Sequence, residues 1–367
     1  SNPQVQPQPT LRRGGLLDMM PRQDWAHRRV PDDVRTSTVK IRMERDVMAE
    51  AVAWAARSLP TRPSVPILAG LLIKADAKGV TMSSFDYETS AQVQVEAQVI
   101  DEGEALVSGK LLAEIARSLP NRPVDFTSDA TRVELVCGSA RFTLQLLPVS
   151  EYPQLPEMPT AAGVVDSDDF ARAINQVVVA AGRDELLPVF TGVRLEIDND
   201  VISLLATDRY RMALKELTWT PASSSAEGAA LVPARVLSEA ARSMSSGEQI
   251  TVALSNAEAG EGLIGLEGSG SGGVRQLTTR LLGGEFPKVR HLMDIHPTVT
   301  VRCKTEEIIA SVKRVSLVAE RNSPLRMLIG DEQIALEAAS GDQAQASEAV
   351  PAQVENVAGG ELALTAA

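Results

Sequence analysis

The sequence contains two copies of one short pattern, Pro66-Ile67-Leu68-Ala69-Gly70 and Pro188-Val189-Phe190-Thr191-Gly192. Each copy opens an apolar run that ends at an aspartate. That aspartate, Asp86 or Asp208, follows the proline by 20 residues in both copies (66 to 86, 188 to 208). Because the residue types and their spacing are similar in both copies, the two stretches predict the same local structure twice in one chain.

Two further pairs of segments repeat in the same order. Leu106–Leu119 matches Leu231–Met244, and Glu151-Tyr152-Pro153 matches Glu285-Phe286-Pro287. The copies lie 122, 125 and 134 residues apart (66 to 188, 106 to 231, 151 to 285). A period of this length is a whole domain rather than one turn of a solenoid, so the chain is predicted to be a series of similar domains.

The predicted domains are an α+β fold, with helices packed on antiparallel sheets in each repeat. The boundaries are expected at 39–159, 160–296 and 297–367. The third repeat stops where the first two place the strand before their second helix, so it is expected to be incomplete. Residues 1–38 are rich in Gln and Pro and are expected to be a disordered or non-native extension. Apolar periodicity predicts five helices, at 47–59, 110–119, 167–181, 234–244 and 305–319.

The composition is that of an ordinary globular protein, with 44% hydrophobic and 23% charged residues. A net charge of −12 argues against wholesale coating by nucleic acid, although it allows a basic surface on one face. The two cysteines, Cys137 and Cys303, lie in different repeats and are expected to be reduced thiols. No apolar run approaches the ~20 residues of a membrane span, and no signal peptide is evident, so a cytoplasmic location without membrane contact is expected.

No residue pattern indicates catalysis. Asp86 and Asp208 are interpreted as caps of equivalent turns, because the same residue recurs at the same offset. His291 and His296 have no neighbouring cysteine or paired carboxylate, so no metal site and no cofactor are expected. A hydrolase that uses Asp208 and His291 remains a minor hypothesis.

Basic residues recur on the predicted helices and in the turns that follow them. Each one alone is typical of a solvated surface, but recurrence at equivalent turns predicts a shared basic face. The residues expected there are Arg62, Arg183, Arg57, Arg117, Arg242 and Arg321.

These segments resemble the bacterial DNA polymerase III beta subunit, or sliding clamp, and among its members the actinobacterial type. The resemblance runs from about Lys40 to Ala367. It is carried by Arg62–Gly70, Ser83–Glu88, Leu106–Leu119, Arg141–Pro153, Ala206–Arg211 and Glu285–Lys288. It implies the DNA-clamp fold, in which helices face the inside of a ring that two three-domain subunits close around duplex DNA. It also implies a non-catalytic homodimer that binds double-stranded DNA without regard to sequence. Its partners would be the DNA polymerase III alpha subunit, the clamp loader and repair polymerases, held through short peptide motifs.

By position, the resemblance also assigns site residues. It implies that the six arginines of the basic face contact DNA phosphates, with Arg62 and Arg183 in loops that approach the duplex. Phe142 and Leu144 match one half of the dimer interface, and Leu317 and Val318 match the other. The peptide-binding groove between the second and third domains corresponds to Thr207, Arg209, Tyr210, Arg211, Met212, Phe190, Pro287, Val289 and Leu292.

Two departures from the family pattern bear on that groove. The family's C-terminal tail of the Met-Pro-Met/Val-Arg-Leu type, which forms one wall, is absent here, and Phe190 stands where a smaller aliphatic residue is typical. An alternative to the clamp function follows from them. The chain would then be a peptide-binding, clamp-like interaction protein, a divergent or inhibitor-tolerant copy that does not close a ring.

Overall fold

The computed structural model describes residues 38–224, 226–255, 262–270, 273–320, 323–330, 332–340 and 343–355, and the backbone of 362–366. Nearly all of the extension predicted for residues 1–38 therefore lies outside the described residues. The chain divides into two compact units, one up to Phe286 and one from Pro287 onward. The first two repeats share the first unit, and the division falls before the expected boundary at 296. No helix among the described residues is long and apolar enough to cross a membrane.

The first repeat alternates strands with two helices. Its elements are β1 (Lys40–Met43), α1 (Arg45–Ala55), β2 (Gly70–Asp76), β3 (Gly79–Phe85), β4 (Thr89–Val95), β5 (Gln98–Asp101), β6 (Gly103–Ser108), α2 (Gly109–Ser118), β7 (Val124–Ser128), β8 (Arg132–Cys137) and β9 (Ala140–Gln145).

The second repeat has the same order of elements. They are β10 (Ala161–Asp166), α3 (Ser167–Val177), β11 (Gly192–Asp198), β12 (Val201–Thr207), β13 (Met212–Thr218), β14 (Thr220–Pro221), β15 (Glu227–Pro233), α4 (Ala234–Ser243), β16 (Gln249–Leu254), β17 (Leu263–Gly270) and β18 (Gly273–Arg280).

The second unit begins the same order a third time. Its elements are β19 (Thr300–Cys303), α5 (Thr305–Val315), β20 (Leu325–Ile329), β21 (Gln333–Ser340), β22 (Ala344–Glu355) and β23 (Leu362–Ala366). All five predicted helices are therefore present. The helices predicted over 47–59, 167–181 and 305–319 each end in a short 3-10 turn, which for α3 is Val178–Ala180.

The repeated Pro-to-Gly pattern forms one structure in both copies. Pro66–Ala69 and Pro188–Thr191 are 3-10 helices, and proline suits their first position because its φ is fixed and its missing N–H is not needed there. The glycine that follows begins a buried strand. A Cβ on Gly70 would lie 2.6 Å from Leu106 Cδ1, and one on Gly192 would lie 2.8 Å from Leu231 Cδ1. The pattern therefore marks a turn that enters a tightly packed strand.

The sheets are antiparallel throughout, and one of them joins the first two repeats. Its nine strands run in the order β14-β10-β16-β17-β18-β4-β3-β2-β6, so β18 of the second repeat pairs with β4 of the first. This pairing runs from Val274 opposite Gln94 to Thr279 opposite Thr89. One continuous apolar core spans both repeats, so they fold as a single body.

Candidate functional site

The four helices of the first unit form one layer. α1 packs against α2, and α3 packs against α4. The two pairs are joined by Arg57, at the end of α1, whose Nη1 lies 2.5 Å from Glu239 Oε1 on α4. This contact brings the end of α1 beside α4, so the two helix pairs of this helical layer adjoin across the repeats.

Arg275 makes a second contact between the two repeats. It lies on β18, is 7% exposed, and its Nη1 donates a hydrogen bond to the carbonyl oxygen of Ser243 at the end of α4. Its guanidinium lies 5.9 Å from the ring centre of Trp54 on α1. Burial lowers the pKa of Arg275. Both arginines thus connect helices of different repeats, and no sequence pattern indicated either contact.

Five of the six arginines predicted to contact DNA fall into three groups, and the sixth, Arg183, lines the pocket described below. Arg62, Arg117 and Arg242 are exposed, and they form no salt bridge with any described residue. Arg57 is half-exposed but already paired with Glu239. Arg321 lies outside the described residues.

Arg117 and Arg242 occupy equivalent places, in the last turns of α2 and α4. A cation near the C-terminus of a helix also interacts favourably with the helix dipole. This gives a structural reason why arginine recurs at these two positions. Both side chains nevertheless point into solvent from the helical layer. They are available to phosphates without any rearrangement.

A pocket of about 410 Å³ opens at the far end of α3. Its apolar surface comes from Ala181, Leu187 and Phe190. The other lining residues are Gly182, Arg183, Asp184, Asp208, Arg209, Tyr210 and Arg211. It therefore unites most of the groove residues predicted in the second repeat with Arg183, which had been assigned to DNA.

The turn between β12 and β13 supplies one side of this pocket. Asp208 Oδ1 accepts hydrogen bonds from the backbone N–H groups of Tyr210 and Arg211, and Oδ2 accepts one from Arg211 Nε at 3.0 Å. Burial alone would raise the pKa of Asp208, but these bonds outweigh it and leave the pKa lowered. In the first repeat Asp86 caps the equivalent turn, accepting from Glu88 and Thr89. Both aspartates are thus engaged in turn structure.

Arg209 has an uncommon backbone conformation at the tip of this turn, with φ of 81°. Its N–H donates to Thr207 Oγ1 at 3.1 Å, and its guanidinium carbon lies 5.7 Å from the ring centre of Phe190 and 5.9 Å from that of Tyr210. Thr207 is buried, Met212 is half-buried at the start of β13, and Tyr210 is 90% exposed. Of the groove residues predicted in this repeat, four line the pocket and two, Thr207 and Met212, do not.

The remaining groove residues belong to the second unit. Pro287 and Val289 are half-buried there, and Leu292, in the 3-10 turn Arg290–Met293, is 56% exposed. They present an apolar edge of their own.

The residues predicted for the dimer interface lie at exposed or edge positions, with one exception. β9, which carries Phe142 and Leu144, is the last strand of its sheet. Leu317 is 82% exposed, and Val318 is half-buried beside it. Leu144 is only 2% exposed and packs in the core of its own subunit. The side-chain role predicted for Leu144 is therefore corrected, because only its backbone is available at the edge.

Among the described residues, β9 and β13 are each the last strand of a sheet. The stretch of β22 before Ala352 is also unpaired on one side, since β19 covers only Ala352–Glu355. Open edges expose unpaired backbone groups that readily accept another strand.

Nothing in the described part of the chain resembles a catalytic or metal centre. No group of three or more metal-ligating side chains occurs there, and both cysteines are free. Cys137 is buried, with its thiol directed at the carbonyl oxygens of Pro120 and Arg122. Because the Asp208 carboxylate is engaged by its turn, the structure gives no added support to the hydrolase hypothesis.

Comparison with family models assigns the whole repeat region. The model described as DNA polymerase III beta subunit, N-terminal domain, matches residues 39–156. The models for the central and C-terminal domains of the same subunit match residues 164–288 and 294–365.

Individual proteins agree with the family models. The chain is 54% identical to a beta sliding clamp of Streptomyces coelicolor over 317 residues, which cover 86% of this chain and 83% of that protein. It is 46% identical to one of Micrococcus luteus, covering 86% and 100%. It is 41% identical to the beta sliding clamp homolog GriR of Streptomyces muensis, covering 86% and 83%.

Among solved structures, the fold is similar to the DNA polymerase sliding clamp of Bacillus subtilis. The TM-score is 0.77 at 22% identity, with 90% of this chain and 87% of that chain covered. A Pseudomonas aeruginosa clamp bound to griselimycin gives a TM-score of 0.75 at 19% identity, covering 89% and 86%.

Proposed function

The chain belongs to the DNA polymerase III beta subunit family, and we propose that it acts as a sliding clamp in the bacterial cytoplasm. In this role a homodimer encircles duplex DNA and tethers polymerases without catalysing a reaction itself. The observation that carries the proposal is the pairing of β4 with β18, which joins two repeats side by side through one sheet.

Two further edges, β9 and the first part of β22, are the counterparts of that pairing. In the order of elements, β9 of the first repeat corresponds to β18, and the first part of β22 corresponds to β4. If β9 of one copy pairs with β22 of a second, the repeats join between copies as they join within one. A two-fold axis makes this contact twice, which closes a ring of six repeats and covers both edges.

The helical layer supports the DNA role. Arg62, Arg117 and Arg242 place cations in solvent on or beside this layer, while the protein as a whole carries a net charge of −12. Contacts from such side chains to phosphates do not depend on base sequence and weaken steeply with salt. A ring that holds DNA in this way can slide along it.

The pocket beside Phe190 supports the tethering role. It is a concave site with a small apolar floor and six charged or polar side chains around it. An extended peptide with one apolar anchor and polar neighbours can use both. We infer that the polymerase alpha subunit, the clamp loader and repair polymerases insert short peptide motifs here.

The assembly is tested by Leu317→Asp. Because Leu317 is 82% exposed in the subunit, the substitution should leave the subunit folded, yet it would place an unpaired carboxylate in the proposed interface. Sedimentation at micromolar concentration should show a dimer for the wild type and a monomer for Leu317→Asp. Ile295→Asp, at a side chain that is 68% exposed, is the matched control and should remain a dimer.

A monomeric wild type would contradict ring closure. If that monomer still bound clamp-directed peptides, it would favour the alternative function, a peptide-binding protein that does not close a ring.

A further inference from the structure

We propose that a cavity between the end of α1 and the start of α4 binds an arginine side chain of a partner peptide, with Asp86 as its acceptor. The cavity lies at the junction of the first two repeats and is separate from the pocket beside Phe190. This site goes beyond the proposed function, because it depends neither on DNA nor on the closure of a ring.

The cavity has a volume of about 240 Å³ and is formed by elements of both repeats. The first repeat contributes the turn after α1 and the turn between β3 and β4, and the second contributes α4 and β18. Because both repeats share one continuous core, these walls hold a fixed position relative to each other. Sites for drug-sized ligands measure ~300–1,000 Å³, so this cavity suits a single side chain.

The turn between β3 and β4 repeats the turn between β12 and β13, except at one residue. In both turns, Oδ1 of the capping aspartate, Asp86 or Asp208, accepts two backbone N–H groups. In the later turn, Oδ2 of Asp208 also accepts a hydrogen bond from Arg211 Nε at 3.0 Å. The residue in the place of Arg211 is Thr89, whose Oγ1 lies 3.0 Å from Thr279 Oγ1 instead.

A third turn, between β7 and β8, shows that this use of Oδ2 is general in the chain. Asp129 Oδ1 accepts from the backbone N–H groups of Thr131 and Arg132, and Oδ2 accepts from Arg132 Nε at 3.1 Å. An aspartate in this kind of turn therefore presents its second oxygen to a guanidinium, and the bond is charge-assisted.

Asp86 keeps that second oxygen for a donor from outside its turn. The Asp86 Oδ2 atom forms no hydrogen bond or salt bridge with any residue that the structure describes. The side chain is half-buried and lines the cavity. An arginine that enters the cavity can thus make the contact that Arg211 and Arg132 make in the other two turns.

The apolar wall of the cavity suits the rest of an arginine side chain. It includes Leu59, Val236 and Leu277. Val236 and Leu277 are buried, and Leu59 is half-buried. The methylene stem of arginine packs on such a surface while its charged end reaches a polar partner.

Two arginines also line the cavity, and they limit how tightly a cation binds. Arg57 is compensated by Glu239, whose Oε1 lies 2.5 Å from Arg57 Nη1. Arg235, in the first turn of α4, is exposed and forms no salt bridge with any described residue. Its charge opposes an incoming guanidinium, so its removal should strengthen binding while the removal of the Asp86 charge weakens it.

The experiment is a titration of the full chain with three end-capped tripeptides, alanine-X-alanine, in which X is arginine, citrulline or lysine. Citrulline keeps the shape of arginine without its charge. The methyl resonances of Leu59, Val236 and Leu277 report binding at the cavity. At low salt we expect the arginine peptide to bind about five- to tenfold more tightly than the citrulline peptide. The lysine peptide should fall between them, because an ammonium lacks the planar fork of donors.

Variants assign the preference to Asp86. Asp86→Asn keeps an oxygen for the turn but removes the charge, and it should reduce the ratio of arginine to citrulline affinity to about one to two. Unchanged binding of the citrulline peptide shows that the cavity keeps its form in this variant. Asp129→Asn makes the same change in a turn away from the cavity and should leave the ratio unaltered. Arg235→Gln should strengthen binding of the arginine peptide about twofold at low salt, and this gain should shrink as salt rises.

Three results would overturn the proposal. The first is equal affinity of the wild type for the arginine and citrulline peptides, and the second is an arginine preference that persists in Asp86→Asn. The third is binding that shifts only methyl groups outside the cavity. Weaker binding by Arg235→Gln would also count against Asp86, because the peptide would then be held through an acceptor rather than through its guanidinium. The clamp function is measured separately, by sedimentation and by retention on circular DNA.

Discussion

Tyr152 packs in a small apolar cluster with Ile67, Leu68, Phe85 and Leu106. The tyrosine is 9% exposed, and its burial raises its pKa to about 12 from the usual 10. The neutral phenol is therefore favoured by the folded state. This contribution is complete below pH 10, and it is lost as the pH rises from 10 toward 12.

We expect the free energy of unfolding to fall across this interval by at most about 2 kcal/mol on account of Tyr152. Tyr152→Phe removes the titration and should flatten the decline. Denaturant unfolding at pH 8, 10 and 11 measures the effect. Tyr210→Phe is the control, because its ring is 90% exposed and should have no influence on the slope. If Tyr152→Phe leaves the dependence of the free energy of unfolding on pH unaltered, the burial of Tyr152 does not cause that dependence.

The contacts of individual residues could be predicted from the sequence to different extents. Recurrence at a fixed offset was sufficient for Asp86 and Asp208, because a local turn needs only its own neighbours. Arg57 was predicted to contact DNA, yet its partner Glu239 lies 182 residues away in the sequence. Arg275 carried no signal, because its burial depends on two helices from different repeats. Alternation along β9 puts Phe142 and Leu144 on the same face, which packs against the core, and sequence could not show that Leu144 is fully buried there while Phe142 is only half-buried.

Helices and strands were easier to predict than the contacts between them. Apolar periodicity gave all five helices, since each buries one stripe on a sheet. The pairing of β18 with β4 could not be foreseen, because a strand's sequence does not specify which edge it meets. The pocket depends on such a junction of elements, so the sequence indicated its turn but not Ala181, Gly182 and Leu187.

The salt bridge between α1 and α4 gives a prediction at this scale. Glu239→Gln should free Arg57 for phosphate contact while costing little stability, because both side chains are partly exposed. Binding to a short labelled duplex, followed by fluorescence anisotropy, should strengthen about two- to threefold at low salt. The slope of log affinity against log salt should steepen by about one.

Glu134→Gln is the matched control for this variant. It also removes one negative charge, but on β8, away from the helical layer, where Glu134 pairs with Arg141. If the slope of log affinity against log salt is the same for both variants, the salt bridge with Glu239 does not keep Arg57 from binding phosphate.

The whole molecule combines three features: repeats linked by strand pairing, a helical layer with exposed arginines, and edges that a second copy can cover. Each follows from the three-fold use of one domain plan. The sequence alone predicted that plan, because its period is long and ordered. Closure of the ring depends on contacts between two copies, which no pattern in a single chain specifies.

We expect the protein to be held on DNA by topology, and its retention on circular DNA measures this. The protein is loaded onto nicked circular DNA by a bacterial clamp loader and then passed through a gel-filtration column at high salt. We predict that it stays with the circle and leaves when a single restriction cut makes the DNA linear, because phosphate contacts alone are lost at high salt. Equal retention on circular and linear DNA would contradict encirclement.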